Sequence, residues 1–363
     1  MKTKLLLAGF AAALIVCQPV FAAGFGQHDE KEALYPVTPL IVNKGVDSIY
    51  PSVAGDFMVY STMVLDHGSV VRVSKHSPQS AVREVKPMVL DETIRFGVAV
   101  QDGSVGYVSN RVGPISAWMW RGHGESHLSI VSGAVYRGGV LPYHLNASPD
   151  GQVWCFDTPF EKVRQNEMLN EFGKHPHFEL IGQLWRTYDS DNFRPKSGYK
   201  ATKAGNTNKF DPPSLYVLDR QSDDLTMIPN AFDGAVSPDG RKVVFVRETN
   251  GNYDLWMQEI NGGELVQLTD SDFGDFEPAW SPDGSRLLFV SNRDTEGSVT
   301  HTSIYMMDLN KNSVTRLTNA ARATDGGPAW MDNDTVLFHS DRDPKNPQSG
   351  TGSDWNIWQL KLK

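Results

Sequence analysis

"PAWSPDGSRLLFVSNRD", Pro278 to Asp294, decides the fold because it recurs. "AVSPDGRKVVFVRETNGNYDLWMQEINGGELVQLTD" begins at Ala235, and Pro238 and Pro282 of the two copies are 44 residues apart. "PAWMDNDTVLFHSDRD" follows at Pro328. Upstream stand "NASPDGQVWCF" from Asn146, "VAVQDGSVGYVSNR" from Val98 and a degraded copy, "YPSVAGDFMVYST", from Tyr50. That makes six copies with one internal grammar. A short strand ends in Pro-Asp-Gly or Asp-Gly, a turn in which glycine supplies the positive φ. A β-rich strand such as "RLLFVS" follows, then a polar loop, a third strand such as "SIYMMDL", a turn and a fourth such as "VTRLT". Four antiparallel strands in roughly 40–50 residues make one propeller blade. A two-layer sandwich would not repeat one four-strand unit six times. The expected fold is an all-β, six-bladed propeller.

The ends of the array support closure. The last copy stops at its third strand, "DWNIWQLKLK", whereas "TPLIVNKGVDSIYPSV" near the beginning reads as a fourth strand leading into a first. Thr38 to Asn43 is therefore expected to complete the last blade, with Leu40 to Val42 beside Ile357 to Leu360, removing two exposed sheet edges.

These units resemble the TolB-type, WD40-like β-propeller repeat, whose pattern runs strand, Ser-Pro-Asp-Gly, strand, Ser-(Asp/Asn)-Arg, Ile-Tyr-x-x-Asp, Arg-Leu-Thr. Copies four to six match well, two and three partly, and one poorly. The resemblance implies the propeller fold and a TolB-like, protein-binding role in the cell envelope. The same propeller also serves in lyases and beside the catalytic domain of serine peptidases, so fold alone does not assign activity. TolB itself carries an α/β domain ahead of its propeller; here about 15 residues separate the expected leader from the closing strand.

Composition sets the compartment and the class of partner. Lys2 and Lys4 precede an apolar run, Leu5 to Val16, and "QPVFAAG" offers a signal-peptidase site before Ala23. The run is shorter than the roughly 20 residues of a bilayer span. Residues 1–22 are expected to be a removed leader, and 23–363 a single periplasmic, monomeric propeller. A lipid on Cys17 is disfavoured because Val16 stands where a lipobox needs a small residue. Removing Lys2 and Lys4 takes the formal charge from -9 to -11, which argues against nucleic acid as a partner. Only Cys155 then remains of two cysteines, so no internal disulfide is expected and Cys155 reads as buried and inert.

Two features are expected on the face opposite the Pro-Asp-Gly turns. In copy three the second strand, "QVWCFDT", is separated from the third, "SLYVLD", by an insertion at about 159–213. Loops beyond about 12–15 residues are usually functional or disordered. Phe160, Val163, Leu169 and Phe172 fall at near-helical spacing, so the insertion is expected to be partly helical and to form a lid or docking surface. Trp185, Arg186 and Tyr188 are its candidate ligand contacts. The second feature is a ring of aligned positions just ahead of the first strands: Tyr50, Phe96, His144, Asp233, Glu277 and Gly327. His144, Asp233 and Glu277 are candidate ligands for Ca²⁺ or another divalent ion, with Asp275 and Asp325 close by as partner-binding carboxylates. The plain alternative is a set of solvated loop residues. His175 and His177 read as turn decoration, and Trp256, Trp280, Trp330 and Trp358 as core.

No Gly-x-Ser-x-Gly elbow, His-Glu-x-x-His, P-loop or dinucleotide fingerprint occurs. The expected function is a non-catalytic scaffold binding an envelope protein or peptide. The alternatives are a metal-assisted polysaccharide lyase or glycoside hydrolase at the channel mouth, and an envelope glycan binder using Trp185 and Tyr188.

Overall fold

The computed structural model describes residues 29–64, 67–79, 83–88, 92, 94–109, 116–122, 125–127, 144–158, 214–222, 224–249, 251–298, 301–319, 323–348 and 351–363. Two short strands come first, β1 (Asp29–Glu32) and β2 (Val37–Ile41). Blade one is β3 (Asp47–Ala54), β4 (Phe57–Val64), β5 (His67–Ser74) and β6 (Arg83–Val85). Blade two is β7 (Ile94–Ala99), β8 (Val105–Ser109), β9 (Ser116–Trp120) and β10 (Glu125–His127). Blade three is β11 (Leu145–Ala147), β12 (Val153–Thr158), β13 (Ser214–Asp219) and β14 (Asp224–Pro229). Blade four is β15 (Phe232–Val236), β16 (Lys242–Thr249), β17 (Asn252–Glu259) and β18 (Val266–Gln267). Blade five is β19 (Asp275–Trp280), β20 (Arg286–Ser291), β21 (Ser303–Asp308) and β22 (Ser313–Arg316). Blade six holds β23 (Asp325–Asp332), β24 (Thr335–Arg342) and β25 (Thr351–Lys361).

The first strands contact one another in succession, β3 with β7, β7 with β11, and on to β23 with β3. They therefore surround the axis, and the fold is a six-bladed propeller. Blade six takes its outer strand from the other end of the chain: β2 pairs antiparallel with β25, Val37 opposite Leu360 and Ile41 opposite Ile357. The segment before it is also engaged. β1 lies parallel to β22, and the Ala33 and Tyr35 amides donate to the carbonyls of Arg316 and Leu317. One N-terminal stretch thus covers the edge of blade five before entering blade six.

The repeat motifs have identifiable mechanical roles. In three copies the turn serine, at 148, 237 and 281, donates its hydroxyl to the turn aspartate at 2.6, 2.6 and 2.7 Å. The same serine oxygen accepts the amide that opens the second strand, at 2.9–3.0 Å. Gly151, Gly240 and Gly284 supply φ values of +67°, +69° and +70°, which only glycine adopts without cost. The threonine closing "QLT" and "RLT" ties the fourth strand to the third: Thr269 and Thr318 accept the amides of Leu255 and Ile304, both at 2.9 Å.

Apolar packing fills the space between sheets. One cluster joins Trp154, Phe156, Val244, Phe276 and Phe289 across neighbouring blades, and another joins Leu288, Trp330, Phe338 and Trp358 across blades five and six. Phe289 is fully buried, which contributes about 2–3 kcal/mol. Trp280 and Trp330 pack and donate their indole N–H groups one blade back, to the carbonyls of Ala235 (3.0 Å) and Ala279 (3.2 Å). Cys155 is buried with its thiol 3.3 Å from the Gly234 carbonyl, and burial pushes its pKa well up. The expected leader, Cys17, the insertion at 159–213 with its near-helical stretch, and His175 and His177 lie outside the described residues.

Candidate functional site on the propeller axis

Five of the six aligned ring positions share an unusual backbone. Tyr50, Phe96, Asp233, Glu277 and Gly327 have φ of +53°, +54°, +53°, +55° and +53°. Each coincides with a register shift between first and second strand. A bulge residue in the left-handed region turns its side chain and amide out of the ladder. Four of these residues are not glycine, and that conformation is costly for an L-residue. The bulge also corrects one expectation. Asp233 and Glu277 lie inside β15 and β19, not ahead of them, because the strand resumes on the far side of the bulge.

At four of the five bulges the freed amide meets a side chain of the preceding blade. The Asp233 amide donates to Asp157 Oδ2 at 2.6 Å, and the Glu277 amide to Asp233 Oδ2 at 2.6 Å. The Gly327 amide donates to Glu277 Oε2, and the Tyr50 amide to His339 Nδ1 at 3.3 Å. Between blades one and two, the Gly97 amide donates to the Ser61 hydroxyl at 3.3 Å. The chain of links thus runs Asp157, Asp233, Glu277 and Gly327 across three successive seams. A hydrogen bond from a backbone amide to a carboxylate is charge-assisted and stronger than a neutral one.

His144 completes the seam between blades three and four. Its amide donates to Asp157 Oδ1 at 3.2 Å, while its Nδ1 stands 3.0 Å from Asp233 Oδ1 and 3.7 Å from Asp157 Oδ2. Burial alone would lower the imidazole pKa, but Asp233 and Asp157 on either side carry it up to about 10. His144 is therefore an imidazolium held between two carboxylates. Burial pushes the Asp157 carboxyl up, opposed by that imidazolium.

Asp157 and His339 were not among the sequence candidates, yet they hold two of the seams. They occupy one structural position on the second strand, shared by Ser61, Val108, Val246 and Val290. A polar residue inside the apolar runs "VWCFDT" and "TVLFHSD" was the available signal. His339 also explains two glycines. A Cβ at Gly327 would lie 2.5 Å from His339 Nδ1, and one at Gly326 2.8 Å from Nε2.

The other candidates separate clearly. Asp275 and Asp325 are fully buried and occupied within their own blades. Arg293 Nη2 reaches both Asp275 oxygens at 2.7–2.8 Å, and Arg342 grips Asp325 through Nε (2.9 Å) and Nη2 (2.6 Å). These arginines are the third residue of "SNRD" and "SDRD", so the motif builds an internal clamp around each aspartate. Trp185, Arg186 and Tyr188 lie outside the described residues. As for the metal set, among the described residues no three His, Cys, Asp or Glu side chains are grouped to hold an ion. Asp233 turns one oxygen to the Glu277 amide and the other toward the His144 imidazole, and Glu277 turns one oxygen to the Gly327 amide.

The ring forms a waist around a cavity of about 100 Å³. Toward the Pro-Asp-Gly turns the axis widens to a funnel of about 610 Å³, walled by first-strand residues such as Pro51, Ala235, Pro278, Ala279 and Pro328. Ser52, Lys75, Asn146, Asp332 and Asn333 are among its polar lining, so the wall is mixed, polar and apolar in near-equal measure, and near neutral in charge.

No family model matches the chain. Over 149 residues it is 29% identical to an uncharacterized protein of Agrobacterium fabrum, covering 40% of this chain and 49% of that one. Over 109 residues it is 27% identical to the Tol-Pal system protein TolB of Francisella tularensis subsp. mediasiatica, covering 30% of this chain and 23% of that one. It also matches the uncharacterized peptidase YuxL of Bacillus subtilis, 28% identical over 123 residues, 32% of this chain and 18% of that one. The chain spans less than half the length of these curated relatives. A solved TolB-type structure from Agrobacterium tumefaciens superposes with a TM-score of 0.50 at 15% identity, covering 87% of this chain and 90% of that one. With six sheets around one axis and that likeness, the chain has the fold of the TolB-like β-propellers.

Proposed function

We propose that this chain is a non-catalytic propeller scaffold of the cell envelope that holds a protein or peptide partner. The observation that carries the reading is the use made of the axial carboxylates. Asp157, Asp233 and Glu277 each fix a backbone amide of the following blade, which makes the axis rigid. A rigid, preformed funnel that offers both apolar wall and polar groups suits a partner segment, because little ordering cost remains to be met on association. The likeness to TolB supports a protein partner. Delivery through a leader at residues 1–22, and a docking role for the insertion at 159–213, belong to the same reading.

The test is capture from envelope extract with three baits: the intact chain, a chain lacking residues 160–212, and Met331→Arg, which places a charge on the half-buried funnel wall. Loss of the same captured protein from either variant supports the scaffold reading. An identical capture profile for all three overturns it.

A further inference from the structure

The repeats allow one seam to be read against the next. Between blades five and six, Arg286 at the start of β20 lays its guanidinium over the Trp330 ring, 4.6 Å from the centroid. Its Nη2 also donates to the Asn333 carbonyl at 2.6 Å. One repeat earlier, the same two positions are Lys242 and Trp280. Lysine lacks the planar guanidinium that stacks on an aromatic face, and Lys242 is exposed.

At that earlier seam a cleft of about 910 Å³ opens between blades four and five. Trp280, Met257, Val266 and Leu309 line it, all half-buried, over the fully buried Leu268. Four carboxylates, Asp239, Glu259, Glu264 and Asp283, line the same cleft against the single ammonium of Lys242. The Ser237 hydroxyl beside Asp239 holds its carboxyl below the usual carboxylate range, so that charge persists at neutral pH. The cleft therefore offers an indole and apolar floor inside an acidic rim, and the adjacent seam shows what such an indole receives within this fold.

We propose that the cleft between blades four and five docks an arginine-bearing peptide segment of a partner protein, with the guanidinium seated over Trp280 and flanking apolar side chains on Met257, Val266 and Leu309. The site is separate from the axial funnel, although Pro238, Trp280 and Pro282 line both. A segment leaving the funnel rim could run into it without a break. The acidic rim disfavours an acidic segment and steers a basic one.

The internal solution of the next seam supplies the test. Displayed random decapeptides are selected on the intact chain, and selected sequences are synthesised. Arginine among apolar residues is expected in them, and replacing it by glutamine should weaken binding about tenfold, the scale of a desolvated cation–π contact. Lys242→Arg restores the plug of the neighbouring seam and should also weaken binding about tenfold. Lys242→Ala should leave it unchanged or tighter, and Met331→Arg in the funnel should have no effect. Absence of selected peptides, selection without arginine, or equal binding to Lys242→Arg would overturn the proposal while leaving the axial reading untouched.

Discussion

At the seams leading out of blades three and six, the group that catches the neighbour's amide stands on the second strand, as Asp157 and His339. At the seams leading out of blades four and five it stands on the first strand, as Asp233 and Glu277, and the second-strand position is Val246 or Val290. The mechanical problem is the same at all four seams. A bulged first strand leaves an amide that the sheet ladder cannot use, and a buried unpaired amide is expensive. The difference teaches how to read a carboxylate on a propeller axis. Asp233 and Glu277 have the placement expected of ligands or acids, yet each supplies an acceptor that its own second strand lacks.

The comparison can be broken most directly at Asp157, which serves two amides and the His144 imidazolium. Asp157→Ala should cost about 3 kcal/mol in denaturant unfolding, since it leaves two buried amides without an acceptor and takes one of the two carboxylates from the His144 imidazolium. Asp157→Asn, which keeps an acceptor, should cost clearly less. Equal losses would mean that charge, not hydrogen bonding, holds that seam.

Gly327 tests the seam beside His339. Gly327→Ala forces a Cβ into the left-handed region and against the imidazole, with an expected loss of about 2–3 kcal/mol by thermal or denaturant melting. A neutral outcome would place His339 elsewhere. Glu277→Ala removes the acceptor for the Gly327 amide and should cost about 2 kcal/mol, with Glu277→Gln recovering most of it.

Acid–base behaviour sharpens the same contrast. The folded pKa of His144, about 10, exceeds its ordinary 6.5. Its contribution is therefore complete below pH 6.5 and is lost as pH rises through about 10. Asp254 lies at the next seam, where burial and nearby Asp275 raise its pKa from 3.8 to about 8. The folded state there keeps a proton that the unfolded chain releases, so this contribution is greatest below 3.8 and fades as pH rises through about 8. Stability should accordingly fall with rising pH in two windows. His144→Gln should flatten the alkaline one and Asp254→Asn the lower one, read from unfolding midpoints across pH. The smallest effect is expected from Arg286→Ala, about 1 kcal/mol, from loss of the contact over Trp330.

Much of the fold was legible because the repeat is written in residues with local duties. Ser-Pro-Asp-Gly closes its own turn, so its three copies, with Asp-Gly in a fourth, mark first-to-second strand junctions without any long-range knowledge. The alignment of those turns also placed Tyr50, Phe96, Asp233, Glu277 and Gly327 at equivalent positions, and their shared left-handed φ matches that alignment. The partners of the ring were less legible. Asp157 and His339 are remote from the amides they catch in the next blade, 76 and 289 residues away along the chain, and nothing in their local pattern names the seam they face. Asp275 and Asp325 illustrate the same limit. An acidic residue near a channel mouth reads alike in sequence whether it faces solvent or an arginine 17 or 18 residues on.

What the chain's residues determined alone was the unit and its count: strand periodicity and turn chemistry are short-range, so six recurrences of one strand–turn–strand pattern announce six sheets. Which side chain meets which amide across a seam was decided only by ring closure. Closure sets the spacing and rotation between adjacent sheets, and those long-range constraints choose whether a buried carboxylate stabilises the wall or is left to face the channel.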